Sequence, residues 1–262
     1  MVGMKALYLT LSISVLSALT GCSSVPLKKA HLPSGANPAT EFAQLEAEMR
    51  QGHNEQLSIL SPEAFEEAND YFEQAKSLLK NNSDPVRTLE SIAYAKGALQ
   101  TAFDRALKVS PLLGQVTDSR KKALESGADT YTKSDFRRLD REVIRLTRQL
   151  EQGDNQATLD SIADRGEFQK RYSDLELQTL YLRYLGEARQ DVEKLKSSGA
   201  ARKAPSSFSR LESKLRMAEG NIAADRYNQT LLQTTQNELK VLAHDLQEEI
   251  KTKKRLPASE AN

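Results

Sequence analysis

The chain has 262 residues, 37 Lys and Arg against 36 Asp and Glu, and a formal net charge of +1, so it lacks the net basic footprint of a general nucleic-acid-binding surface. It is 39% hydrophobic and 28% charged, with 6% aromatic residues and no Trp, and it is rich in Ala, Leu, Glu, Lys, Arg and Gln, the composition of an all-α protein. A single cysteine excludes a disulfide framework.

The first residues, MVGMKALYLTLSISVLSALTGC, carry one cation at Lys5 and a 14-residue apolar run from Ala6 to Leu19. A membrane-spanning helix needs ~20 residues, so residues 1–21 read as an export signal and not as structure. The run leads into Leu19-Thr20-Gly21-Cys22, which resembles the lipobox of bacterial lipoproteins. That resemblance implies cleavage before Cys22 and acylation there; at ~0.8 kcal/mol per buried CH₂, two or more acyl chains make a stable membrane anchor. Ser23 stands where an Asp is associated with inner-membrane retention, so the resemblance also implies the outer membrane, facing the periplasm. The mature chain would lose Lys5 and no acid, leaving 36 basic and 36 acidic side chains.

Residues 23–40, SSVPLKKAHLPSGANPAT, hold three Pro and one Gly with no apolar period. With Cys22 they read as a flexible tether over 22–40. Helical signal follows nearly throughout. Three short stripes repeat a +3, +4 spacing: Phe65, Ala68, Phe72, Ala75, Leu79; Phe136, Leu139, Val143, Leu146, Leu150; and Phe208, Leu211, Leu215, Ala218, Ile222. Their first Phe residues are 71 and then 72 apart. Capping hydroxyls, carboxylates or prolines precede each stripe at Ser61-Pro62, Ser134-Asp135 and Pro205-Ser206-Ser207. Turn residues follow each stripe, leading to Leu89, Leu159 and Leu231.

Gly127-Ala128 and Gly199-Ala200 stand before the second and third stripes, where a preceding helix needs a residue tolerant of positive φ. The first unit has no such pair, and a tighter corner is expected there. Long helical segments lie between the stripes. Each is divided between two units, which predicts an elongated array of three antiparallel three-helix bundles at 41–106, 107–175 and 176–254, linked by long shared helices, with a disordered tail at 255–262. The plan resembles that of spectrin-type repeats, without their sequence signature. Ser110-Pro111 is expected to interrupt the first shared helix. The alternative architecture is a tetratricopeptide-like solenoid with a ~34-residue period.

No catalytic or metal-binding spacing stands out. His31, His53 and His244 are far apart in sequence; HExxH, a phosphate-binding glycine loop and a GxSxG elbow are absent. The expectation is a non-enzymatic protein with no cofactor and no metal.

Two features are candidates for partner binding. With Phe136 on the seam, Arg137, Arg138, Arg141, Arg145 and Arg148 fall on the opposite face, while the matching face of the first unit carries Glu66, Glu67, Asp70 and Glu73. Arginine suits bidentate contact with carboxylate or phosphate. The second feature is LELQTLYLRYL at 175–185, where Leu177, Leu180, Leu182 and Tyr184 lie off the Tyr181, Leu185, Ala188, Val192, Leu195 seam. They read either as the junction between the second and third bundles or as a partner groove.

The Gly-Ala, Phe-stripe, Gly-Asp pattern also resembles that of helical-repeat envelope lipoproteins, some of which are associated with OmpA-like domains. The resemblance implies a spacer or adaptor in a cell-envelope assembly, contacting an envelope protein, OmpA-like or peptidoglycan-associated, or a second copy of the chain. The alternatives are a regulatory or assembly-assisting lipoprotein for a cell-wall enzyme or a secretion or pilus component, and third a cell-wall enzyme.

Overall fold

A computed structural model describes residues 28–151 and 155–255. The export segment, the lipobox with Cys22, the start of the tether, the turn at 152–154 and the residues after Arg255 lie outside the described residues. Within them the protein is all-α, with no strand. The helices are α1 (Pro38–Asn54), α2 (Leu57–Leu60), α3 (Pro62–Lys80), α4 (Pro85–Ser126), α5 (Ala128–Tyr131), α6 (Lys133–Glu151), α7 (Asn155–Ser197), α8 (Ala200–Lys203), α9 (Pro205–Ala224) and α10 (Gln229–Arg255).

Local chemistry sets the helix starts. The Asn37 side chain accepts from the Ala39 and Thr40 amides, and Asp84 accepts from the Val86 amide, while prolines occupy the first turns of α1, α3, α4 and α9. These caps satisfy amides that have no partner inside the helix.

The heptad stripes decide the packing. Phe65, Ala68 and Ala75 of α3, Phe136, Leu139, Val143 and Leu146 of α6, and Phe208, Leu211, Ala218 and Ile222 of α9 are all buried. Fully burying one such large side chain contributes roughly 1.5–3 kcal/mol. α4 has 42 residues and is therefore ~63 Å long. Lys96 in its first half reaches Glu41 of α1, and Tyr94 stacks on Tyr71 of α3. Arg120 in its second half binds Asp140 of α6. α7, of 43 residues, repeats the arrangement between α4 and α6 on one side and α9 and α10 on the other. One apolar core runs from Leu45 to Leu175, and a second from Leu180 to Leu246.

The corners between the long and short helices share one geometry. Gly127 (φ 101°) and Gly199 (φ 80°) end their helices in the left-handed region, as their sequence context predicts. In the first unit the same position is Gln56, with φ 58°. Each left-handed residue is followed by a four-residue helical turn, α2, α5 or α8, and then by a non-helical residue, Ser61, Thr132 or Ala204, that precedes the short helix. Phe65, Phe136 and Phe208 each stand nine positions after Gln56, Gly127 and Gly199. The first corner is therefore no tighter than the others. Gln56 tolerates its conformation because its amide donates to the Thr117 carbonyl at 2.9 Å and its side-chain oxygen accepts from Arg120 at 3.0 Å.

Two further expectations are corrected. Pro111 does not interrupt α4, which continues through it. The carbonyl deprived of its bond belongs to Leu107, which is 74% exposed, so water can replace the bond, while buried Val109, Leu113 and Val116 hold the helix on either side. The segment before α1 is also not free tether throughout. Residues 28–33 lie as an arm along α4: the Ala30 amide donates to the Ala93 carbonyl at 2.9 Å, Lys29 pairs with Glu90 over the Tyr94 ring, and Leu32 packs on the core. Gly97 makes this approach feasible, because a Cβ there would lie 1.7 Å from the Lys28 carbonyl oxygen.

Replacing Gly127 by Ala is expected to cost about 1–2 kcal/mol in urea unfolding, because an L side chain is strained at positive φ. Gly199→Ala costs less, since its Cβ meets nothing nearer than 3.9 Å, whereas that of Gly127 meets the Tyr131 ring at 3.2 Å. Equal stability of both variants and the parent chain would contradict this reading of the corners.

Candidate functional site

α6 presents the arginine face. With Phe136, Leu139, Val143 and Leu146 turned inward, Arg137, Arg138, Arg141, Arg145 and Arg148 are all exposed, as helical periodicity requires. Arg138 pairs with Asp135 at 2.8 Å, and Arg148 reaches Glu66 of α3 at 3.6 Å. The acidic face of α3 and the basic face of α6 thus meet at one point along the rod. For Arg137 and Arg141 no ion pair is recorded among the described residues. Glu142, on the flank of the stripe, is held below the usual carboxylate range first by hydrogen bonding to Arg171, which grips both its oxygens at 2.6 and 2.9 Å.

The joint between the first two bundles contains a polar network. Arg120 donates through Nε and an Nη to both oxygens of Asp140 at 2.9 and 2.8 Å, while its other Nη reaches Gln56. The Tyr172 hydroxyl donates to Asp140 Oδ1 at 2.7 Å, and burial, reinforced by Asp140, keeps the phenol neutral far above its ordinary range. Phe136 lies edge-on to Tyr172 and under the Arg120 guanidinium. One network therefore ties the corner of the first bundle to α4, α6 and α7.

Beside it, Glu151 at the end of α6 accepts from the Ser61 hydroxyl at 2.6 Å and faces Arg105 of α4 at 3.7 Å. Its other oxygen is buried and has no hydrogen-bond partner among the described residues. The next joint has the same plan with the charges exchanged. Glu176 of α7 lies 71 residues after Arg105, and Arg226, in the turn after α9, donates to it at 3.2 Å and to the Ser173 carbonyl. Thr132, the counterpart of Ser61, shares a 2.8 Å hydrogen bond with Thr179. Periodicity could not reveal these groups, because the partner of each charge comes from another element of the fold.

Of the apolar candidates, Leu180 and Tyr184 are buried in the second core, Leu177 packs against it and Leu182 is 40% exposed. Burial removes Leu180 and Tyr184 from any partner surface. Tyr184 turns its hydroxyl to Gln229 at 3.3 Å. A groove of about 840 Å³ lies between α9 and α10, lined by Met217, Val241 and Leu242 among serines, Arg210, Lys214 and Glu238. His31, His53 and His244 lie exposed on separate elements, and among the described residues no group of three or more His, Cys, Asp or Glu could hold a metal. The buried charges face one another between helices, at the joints and, for Glu41 and Lys96, inside the first unit, an arrangement that fixes helix positions.

Burial pushes the Glu151 carboxyl above the ordinary carboxylate range, against the opposing pull of Ser61 and Arg105. The unfolded chain then releases this proton first, so the contribution is fully present below the ordinary range and is lost as pH rises through the raised value. Glu151→Gln should remove that pH dependence and unfold at equal or higher urea concentration than the parent at pH 7. A loss of stability at pH 7 would contradict it. Comparison with protein-family models, curated proteins and solved structures finds no match for this chain.

Proposed function

We propose that the protein is an outer-membrane lipoprotein, acylated at Cys22, whose helical rod acts in the periplasm as a spacer or adaptor between components of the cell envelope. The observation that carries the reading is the 14-residue apolar run delivering Leu19-Thr20-Gly21-Cys22 at its end. Among the described residues no helix is long and apolar enough to cross a membrane. The buried ionisable groups sit in pairs between helices, while among the described residues Arg137, Arg141 and Arg145 of α6 form no ion pair and Arg138 and Arg148 do. Contact with an anionic protein surface falls to Arg137, Arg141 and Arg145.

Metabolic labelling with a palmitate analogue tests the anchor. The parent chain should be labelled and sediment with outer membranes, whereas Cys22→Ala should be unlabelled and recovered in the soluble fraction. Arg141→Glu combined with Arg145→Glu should leave labelling and helical content intact while abolishing crosslinks from the α6 face to its envelope partner. Membrane recovery of unlabelled Cys22→Ala, or undiminished crosslinking, would refute the corresponding half of the proposal.

A further inference from the structure

The exposed charges of the rod follow two different habits. On α1 and α10 opposite charges stand one turn apart and pair locally, as Arg50 does with Glu46, Lys251 with Glu248 and Lys253 with Glu249. On α3 and α6 the signs are separated. At 100° per residue, Glu63, Glu66, Glu67, Asp70 and Glu73 fall within about 60° of the line opposite the buried stripe of α3, and no base falls there. Arg137, Arg138, Arg141, Arg145 and Arg148 fall within about 60° of the corresponding line on α6, where no acid falls. Every one of these side chains is exposed. Like charges one turn apart disfavour a helix, and relief within the chain is partial: Lys76 reaches Glu73 at 3.4 Å, Arg138 pairs with Asp135 and Arg148 with Glu66. Glu67, Asp70, Arg141 and Arg145 have no ion pair among the described residues.

The two stripes also lie end to end. α6 finishes where α3 begins, with the Ser61 hydroxyl on Glu151 and Arg148 within 3.6 Å of Glu66, and both helices run against α4. A two-fold axis perpendicular to the rod at this contact reverses the direction of a neighbouring copy. It lays the acidic stripe of each copy on the basic stripe of the other. The spacing fits, because Arg141 to Arg148 and Glu66 to Glu73 each cover seven positions, ~10 Å along the axis. With the helices running in opposite directions, Arg148 faces Glu67, Arg145 faces Asp70 and Arg141 faces Glu73 of the second copy. A parallel stagger by one unit would satisfy only one stripe of each copy.

We propose that the anionic surface met by α6 is α3 of a second copy, in an antiparallel pair of rods related by a two-fold axis at the first joint. The inference deepens the contact proposed for α6 and rests on it. Two stripes of ~15 Å by ~10 Å cover less than the ~800 Å² per partner of a standard interface, so charge rather than apolar burial holds the pair. Salt therefore loosens it.

Sedimentation of a chain beginning at Ser23, which keeps every described residue, tests this. In ~0.01 M salt, where the Debye length is ~30 Å, it should form a dimer at micromolar concentration, and in ~1 M salt, where that length is ~3 Å, a monomer. Arg141→Glu with Arg145→Glu, and separately Asp70→Arg with Glu73→Arg, should each keep the helical content and weaken the dimer roughly tenfold or more. An equimolar mixture of these two variants should restore it, because each reversed stripe then meets its opposite in the other chain. Where reversal unfolds a chain, Arg141→Gln with Arg145→Gln removes the attraction without adding repulsion and should weaken the dimer likewise. A parent that stays monomeric in ~0.01 M salt, or a mixture that pairs no better than its components, overturns the pairing. In cells, the full-length chain with Asp70→Arg and Glu73→Arg keeps every arginine of α6. Loss of the α6 crosslinks there identifies the second copy as the partner. Their survival overturns the self-pairing and leaves the contact of α6 with another anionic protein standing.

Discussion

A left-handed residue at the end of each ascending helix decides where the rest of its unit goes. Gln56, Gly127 and Gly199 turn the chain through a single helical turn and deliver Phe65, Phe136 or Phe208 into the core nine residues later. Once that Phe is seated, the +3, +4 stripe behind it has one face to bury, and the short helix must descend beside the long one. The return is made by α4 or α7, each too long for one bundle. Its second half therefore exposes a fresh apolar stripe that the next short helix covers.

The polar groups at the joints then select among the ways such units can meet. Apolar stripes of similar spacing tolerate slippage, whereas a buried charge tolerates only its partner. Arg105 faces Glu151 at one joint and Glu176 faces Arg226 at the next, so a helix seated at the wrong joint would bring like charges together. The Gln56, Arg120, Asp140, Tyr172 network adds a second condition at the first joint. Such groups contribute to register more than to net stability, in keeping with the orphaned oxygen of Glu151.

Much of this plan is legible in the sequence because periodicity and glycine report it directly. The three stripes turn inward, with Phe72, Leu79, Leu150 and Leu215 only partly buried, and Gly127 and Gly199 mark their corners. The first corner was hidden because its left-handed residue is a glutamine, whose conformation is supported by Thr117 and Arg120, more than 60 positions away. Pro111 misled because helix interruption depends on whether the freed carbonyl can find water, a property of the packed structure. The arm over Gly97 left no trace in composition, since SSVPLKKAHLPSG has the character of a linker and its docking is a backbone contact. In the arginine stripe, exposure and the local Arg138–Asp135 pair were legible, whereas the pairing of Arg148 was not, because Glu66 comes from another helix.

The length of the folded part comes from the continuity of α4 and α7 through the joints. Small-angle scattering from a chain beginning at Ser23 tests that continuity most directly. Helices of 42 and 43 residues overlapping by about one bundle make a rod of ~90 Å. The account predicts a radius of gyration of about 26 Å, the value for a rod of that length. A value near ~18 Å, expected for a compact domain of this size, would contradict it.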